Sequence, residues 1–282
     1  MRQRTFVFDL DGVIYRGEQL LPGVAETIET LRRFGHQVYF FTNNSTKTRE
    51  QYVDKLRRMG ILVDKAQIMT SGYATALYFC EHGAKGKSIY LIGEPGLRQV
   101  LIEAGMRIVE NIPEEKADYV VVGWDKGFNY EKITKALWAI RGGAEFIATN
   151  RDATYPLEGG QVIPGAGAMV AAVEAAAGVT PRVIGKPETY AVRKLFEVAG
   201  ASPENSVIVG DRLDTDILVG KRLGITTVLV LTGISTEKDV ELAPKEMKPD
   251  FVVKTLPEIL RLFLGNAVRA EARACSILDD KQ

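Results

Sequence analysis

Two aspartates one residue apart close an apolar run, Phe6-Val7-Phe8-Asp9-Leu10-Asp11-Gly12. In extended chain that spacing turns both carboxylates to one side. Carboxylates so close repel, and a divalent cation or unequal pKa values would be needed to hold them together; an exposed Asp-Gly turn is the plainer alternative. A second apolar run, Val38 to Phe41, leads into Thr42-Asn43-Asn44-Ser45. These hydroxyl and amide donors stand before a helix and suit phosphoryl oxygens, or serve as helix caps through Ser45 or Thr48. Val183-Ile184-Gly185-Lys186-Pro187 sets a lysine on a turn directly after a strand, where an ammonium could neutralise a phosphate or simply face water. Val207-Ile208-Val209-Gly210-Asp211 is followed by Asp214 and Asp216, oxygen ligands of the kind hard cations prefer. A helix N-terminus also welcomes acids, and Asp211, nearest the strand end, is the better metal ligand. Together these strand ends point to metal-assisted phosphate chemistry.

The elements that must position them read as an α/β chain. Short β-rich runs alternate with helical stretches: Thr5 to Phe8, a helix near Val24 to Phe34 ended by Gly35, then Gln37 to Phe41, the pattern of a parallel sheet. Thr48 with Gln51 makes a capping box for a helix that Gly60 closes, and a further helix covers roughly Tyr73 to Glu81. A second series starts at Lys87, with strands at Ser88 to Ile92, Met106 to Val109, Tyr119 to Val122 and Glu145 to Ala148. Pro164-Gly165-Ala166-Gly167 then opens an alanine-rich helix, after which the first pattern resumes with Val183-Ile184, Ser206 to Val209, Thr227 to Leu231 and Phe251 to Val253.

Composition excludes several classes. The 282 residues are 46% apolar, enough for a sizeable core. Lysine plus arginine balances aspartate plus glutamate at 36 each, so no global field favours nucleic acid or an anionic membrane. Cys80 and Cys275 are too few and too far apart for a disulfide framework or a metal cluster. The N-terminus lacks the long apolar stretch of a signal peptide or membrane span, and a cytoplasmic protein is expected. With only His36 and His82, acid-base work falls to carboxylates and lysine.

At these motifs the sequence resembles the haloacid dehalogenase superfamily, whose pattern is an Asp-x-Asp strand end, a Ser/Thr strand end, a lysine, and Gly-Asp-x-x-x-x-Asp. Asp9-Leu10-Asp11-Gly12-Val13, Thr42-Asn43-Asn44-Ser45 and Gly185-Lys186-Pro187 are similar in particular to the NagD or p-nitrophenyl phosphatase class. The resemblance runs through about Leu264. It implies a Rossmann-like parallel sheet core, residues 1–83 and 181–265, interrupted by a smaller α/β cap domain at 84–180 and followed by a tail, 266–282. It further implies a Mg2+-dependent phosphatase of small phosphomonoesters. Asp9 would be the nucleophile that becomes an aspartyl-phosphate, and Asp11 the general acid and base. Mg2+ would be held by Asp9, the Asp11 backbone carbonyl and Asp211, with Asp216 behind them. Thr42, the Asn43 backbone and Lys186 would stabilise the phosphoryl group, beside Asn44. Within the cap, the resemblance points to Asn150-Arg151-Asp152-Ala153-Thr154-Tyr155-Pro156 as the substrate-selecting loop, with Tyr155 foremost, although an aromatic beside proline reads equally as packing for the loop; Arg151 has the usual reading of a loop arginine, a solvent-facing charge.

The substrate is left open among phosphoglycolate, glycerol phosphate, sugar phosphates, nucleoside monophosphates and pyridoxal phosphate, and a homodimer through the cap is expected of this class. A dehalogenase does not need an acid at Asp11, and mutases of the superfamily carry a helical cap just after the first motif, where this chain has too little room. A phosphate-binding or regulatory protein on the same fold is the rival outside enzymes.

Overall fold

The computed structural model describes residues 2–157 and 161–265, so the expected tail 266–282 lies outside the described residues. Its larger sheet has six parallel strands in the order Phe251–Val253, Thr226–Val230, Ser206–Gly210, Thr5–Phe8, Gln37–Thr42 and Ile68–Thr70. Thr5–Phe8 lies in the interior of this sheet and is buried on both faces, which is why it reads as an unbroken apolar run. Phe6 and Phe8 enter one core cluster with the helices Val24–Arg33 and Arg49–Arg58, whereas Val7 enters the other with the helices Ser71–Glu81 and Tyr190–Ala199.

Register sets the site. Phe8 is level with Val209 on one side and Phe40 on the other, so the three strands reach the same edge within two residues of each other. Chain order reverses around Thr5–Phe8, and the crevice at such a reversal, at the strand carboxyl ends, is where open α/β sheets bind ligands. Beyond Asp11 the chain makes a small antiparallel hairpin, Tyr15–Arg16 with Gln19–Leu20. Gly12 admits no other residue: φ is +87°, and a Cβ there would stand 2.6 Å from the Asp211 carboxylate.

The cap sheet has five parallel strands, ordered Arg182–Val183, Glu145–Ala148, Tyr119–Val122, Ser88–Ile92, Arg107–Val109. One face packs with the helices Tyr130–Arg141 and Ala166–Ala177. From the other, Ile89, Val121 and Ile147 join the same apolar cluster as Val7 and Phe79 of the core, so cap and core share one hydrophobic layer.

Three local expectations need correction. The strand at Val183 is not a resumption of the core sheet: Arg182 and Val183 pair with Ile147 and Ala148 at the edge of the cap sheet. The core has an additional edge strand, Ile68–Thr70, too short for its alternation to register. And Thr154–Pro156 is not plain loop but pairs antiparallel with Val162–Pro164, a hairpin whose prolines hide the strand signal.

Candidate active site

Asp9, Asp211 and Asp216 meet at the carboxyl edge of the core sheet, with one carboxylate oxygen from each lying within 4.8 Å of the others. Asp9 follows the strand end and its N–H donates to the Val209 carbonyl at 2.8 Å. Asp211 follows the neighbouring strand and accepts from Ile234 N–H at 2.8 Å. Asp216 comes back to the edge from the helical turn Leu213–Ile217 and accepts from Arg212 N–H at 3.2 Å. Gly210 leaves the room for it, since a Cβ there would run into the Asp216 side chain. Asp214 points away, more than half exposed, and pairs with Arg212 at 3.2 Å. Of the two acids left open by the sequence, the one that converges is therefore Asp216.

Lys186 is the cation among them. Its Nζ donates to Asp9 Oδ1 and Asp216 Oδ1, both at 2.6 Å, and to the Phe41 carbonyl at 3.1 Å, and the residue is 2% exposed. One ammonium against three buried carboxylates leaves excess negative charge. Burial pushes the Asp9 carboxyl well above the ordinary range; Lys186 pulls it back, and the neighbouring aspartates add to the rise. Burial and then Asp216 push Asp211 up to about 7. Burial works against the Lys186 charge, but Asp216 and Asp9 more than reverse it and raise its pKa. A cluster of oxygen donors whose carboxyls resist ionising for want of positive charge fits a hard divalent cation.

Asp11 stands apart from that cluster. Its side chain contributes no oxygen to the three-carboxylate group and accepts instead from the Tyr155 hydroxyl at 2.6 Å. Burial raises the Asp11 carboxyl, and the Tyr155 hydrogen bond opposes the rise. Tyr155 sits on the first strand of the cap hairpin with its ring 4.5 Å from that of Trp124. The expected loop thus contributes Tyr155, while Arg151 turns outward and pairs with Glu174.

The donor loop divides its labour. Thr42 Oγ1 accepts from Asn44 N–H at 3.0 Å, and the Asn44 side chain is taken up by Thr46. The Asn43 side chain is spent on protein contacts, joining both backbone groups of Lys186 and the carboxylate of Asp152, and leaves to its backbone the phosphoryl contact expected of this residue. Asp152 belongs to the loop expected to select substrate but was not singled out within it, and Arg212 was not expected at the site. Both line the cavity with Asp9, Asp11 and Lys186, and burial pushes Asp152 up to about 6. A carboxylate in a loop beside an arginine reads as a surface pair, and nothing in the local sequence marks either residue. The cavity itself is small, about 50 Å³.

A family model described as haloacid dehalogenase-like hydrolase matches residues 6–107, and a second, HAD-hydrolase-like, matches 183–259. The acid sugar phosphatase of Staphylococcus aureus is 40% identical over 257 residues, covering 91% of this chain and 96% of the relative. The chain belongs to the haloacid dehalogenase-like hydrolases. Among solved structures of these hydrolases, the p-nitrophenyl phosphatase from Archaeoglobus fulgidus superposes with a TM-score of 0.84 at 33% identity, over 93% of this chain and all (100%) of that one. The glycerol phosphate phosphatase from Mycobacterium tuberculosis in complex with magnesium gives 0.81 at 30% identity, over 90% of this chain and 75% of that one. The two matched segments of the hydrolase models carry Asp9, Thr42, Lys186, Asp211 and Asp216, and most of the cap sheet lies between them.

Proposed function

We propose that this hydrolase removes phosphate from small phosphomonoesters with Mg2+ as its cation and Asp9 as the nucleophile. The observation that carries the reading is the Lys186 ammonium, 2.6 Å from both Asp9 and Asp216, within a three-carboxylate cluster from which Asp11 is separate. Asp9, Asp211 and Asp216, with the Asp11 backbone carbonyl, would hold the cation, which when bound supplies positive charge against the phosphoryl oxygens.

The chain's own groups do the rest. An Asp9 carboxylate oxygen attacks phosphorus, and the bond from phosphorus to the ester oxygen breaks. Asp11 gives its proton to that departing oxygen, for which its raised pKa suits it. Water then attacks the aspartyl-phosphate at phosphorus while Asp11 takes the water's proton, and the bond to Asp9 breaks to release phosphate. Lys186 and Thr42, with Asn44 beside them, face the transferred group, where fixed positive charge and donors count most in a water-poor site. Tyr155 orients Asp11 and faces the leaving group. A space of about 50 Å³ takes the phosphoryl group but falls far short of the several hundred Å³ usual for whole ligands, so the leaving group requires the cap hairpin to shift.

Sugar and glycerol phosphates head the substrate candidates, because the acid sugar phosphatase and the glycerol phosphate phosphatase align with this chain over 96% and 75% of their own lengths. The decisive experiment is a release assay over a panel of small phosphorylated metabolites with p-nitrophenyl phosphate as reference, with and without Mg2+. Metal-dependent turnover that disappears in Asp9→Asn is expected; no turnover of any ester ends the reading. A cytoplasmic location and a homodimer through the cap complete it. Among the described residues no helix is long and apolar enough to cross a membrane, and Tyr130 and Trp138, exposed on one cap helix, offer aromatic surface for self-association. Light scattering of the purified chain tests the dimer.

A further inference from the structure

Lys186 reaches the site from an unexpected side. The segment before it is the edge of the cap sheet, and the ladder continues past the strand, with Ile184 N–H donating to the Ala148 carbonyl at 3.0 Å and Gly185 N–H to the Thr149 carbonyl at 2.8 Å. Its partner Asp9 ends a core strand. A lysine delivered by one sheet must be held to the other, or its ammonium shifts whenever the cap shifts.

Asn43 makes that connection. Its Oδ1 accepts from Lys186 N–H at 2.8 Å, and its Nδ2 donates to the Lys186 carbonyl at 2.9 Å, so one planar amide grips both backbone groups of the lysine. The remaining Nδ2 hydrogen goes to Asp152 Oδ1 of the cap at 2.9 Å. From the other side, the Asn43 carbonyl accepts from Asn150 Nδ2 of the cap at 2.7 Å. Gly185 makes the grip feasible: a Cβ there would stand 2.5 Å from Asn43 Oδ1 and 2.6 Å from the Thr149 carbonyl. Asn43 is 3% exposed, and all three hydrogen-bonding functions of its amide are occupied.

We propose that Asn43 is a positioning residue: its amide fixes the Lys186 backbone to the core, and its bond to Asp152 makes the placement of the lysine ammonium depend on a closed cap. The proposal rests on the phosphatase reading for the role of the ammonium. The latch itself is independent of it.

Asn43→Asp is the nearest isosteric test. It keeps the acceptor for Lys186 N–H, loses both donors and sets a second carboxylate against Asp152. Displacing a reacting group by about 1 Å costs on the order of a hundredfold in rate, so kcat for p-nitrophenyl phosphate should fall about that much at a temperature where the variant, destabilised by the second carboxylate, is still folded by circular dichroism. In a Lys186→Ala background the same change should lower kcat no further, because the group it positions is gone; an equal fold-loss in both backgrounds overturns the proposal. If Asn43→Asp fails to fold, Asp152 carries the test: Asp152→Ala should lose kcat severalfold and Asp152→Asn, whose carbonyl still accepts, should restore it. Wild-type turnover in Asp152→Ala overturns the coupling to the cap. A crystal structure of Asn43→Asp supplies a readout without activity. A Lys186 ammonium displaced from Asp9 supports the latch, and one left in place refutes it. A wild-type chain inactive on every ester would sink the phosphatase reading while leaving this structural comparison intact.

Discussion

The Tyr155 hydroxyl of the cap donates a 2.6 Å hydrogen bond to the Asp11 carboxylate of the core. A donor to the charged form favours it, so this bond holds the Asp11 pKa below the level that burial alone would set. Tyr155→Phe removes the donor and should raise that pKa. If protonated Asp11 serves the leaving group, the alkaline limb of kcat/KM moves to higher pH. Turnover should also fall roughly tenfold, the worth of one hydrogen bond to a charged group. A pH profile superimposable on wild type would detach Tyr155 from the proton donor.

The separate roles proposed for Asp9 and Asp11 predict separate failures. Asp9→Asn should abolish turnover of every ester. Asp11→Asn should keep phosphate affinity and lose about 10²- to 10⁴-fold in kcat. The loss should be greater for an alkyl phosphate than for p-nitrophenyl phosphate, whose departing oxygen needs no proton. Stopped assays on the two ester types compare the losses, and equal losses would argue against proton donation.

Metal affinity should depend on pH through Asp211. Its carboxyl is pushed up to about 7 by burial and by Asp216, and a metal needs the ionised form. Below that value the ion must displace a proton, so Mg2+ binding measured by calorimetry should weaken about tenfold from pH 8 to pH 6, with proton release seen as a dependence on buffer ionisation heat. Equal affinity at both values would place Asp211 outside the site.

Asp152 should lower stability at neutral pH. Its folded carboxyl titrates at about 6 because it is buried, above the unfolded value of about 3.9. The folded state therefore keeps the proton longer, and stability falls as pH rises between those values. Asp152→Asn mimics the protonated form and should stabilise the metal-free protein by about 2 kcal/mol at pH 7, less than the full linkage difference because solvent reaches part of the side chain. At pH 4 the two should differ little. Urea unfolding at the two pH values measures both.

The core of this site was legible because its polar side chains stand where apolar runs stop. Asp9 and Asp211 each follow a buried strand and Thr42 closes one, and a run of β-branched and aromatic residues ending in a polar group is visible without knowing which strands pair. The Thr48 capping box was equally visible, since Thr48 and Gln51 satisfy each other's backbone groups locally. What stayed hidden depends on distant chain. Val183 looks like any parallel strand, and only its pairing with Ala148 assigns it to the cap. Asn43 looks like a phosphate donor, and only the approach of Gly185 and Asp152 occupies its amide. Asp152 is one of seven residues in the expected loop with no local pattern to single it out, and Arg212 has none either, because their place in the cavity is made by packing cap on core.

The edge strand Arg182–Val183 has a consequence for exchanging caps between relatives. A graft cut at the sequence boundary expected near residue 180 would sever a strand from its neighbour and leave the lysine on a frayed end. Cutting instead between Lys186 and the helix Tyr190–Ala199 transfers strand, glycine and lysine as one cassette. The recipient must then offer an amide at the end of its own second strand, or the grafted enzyme will fold and idle.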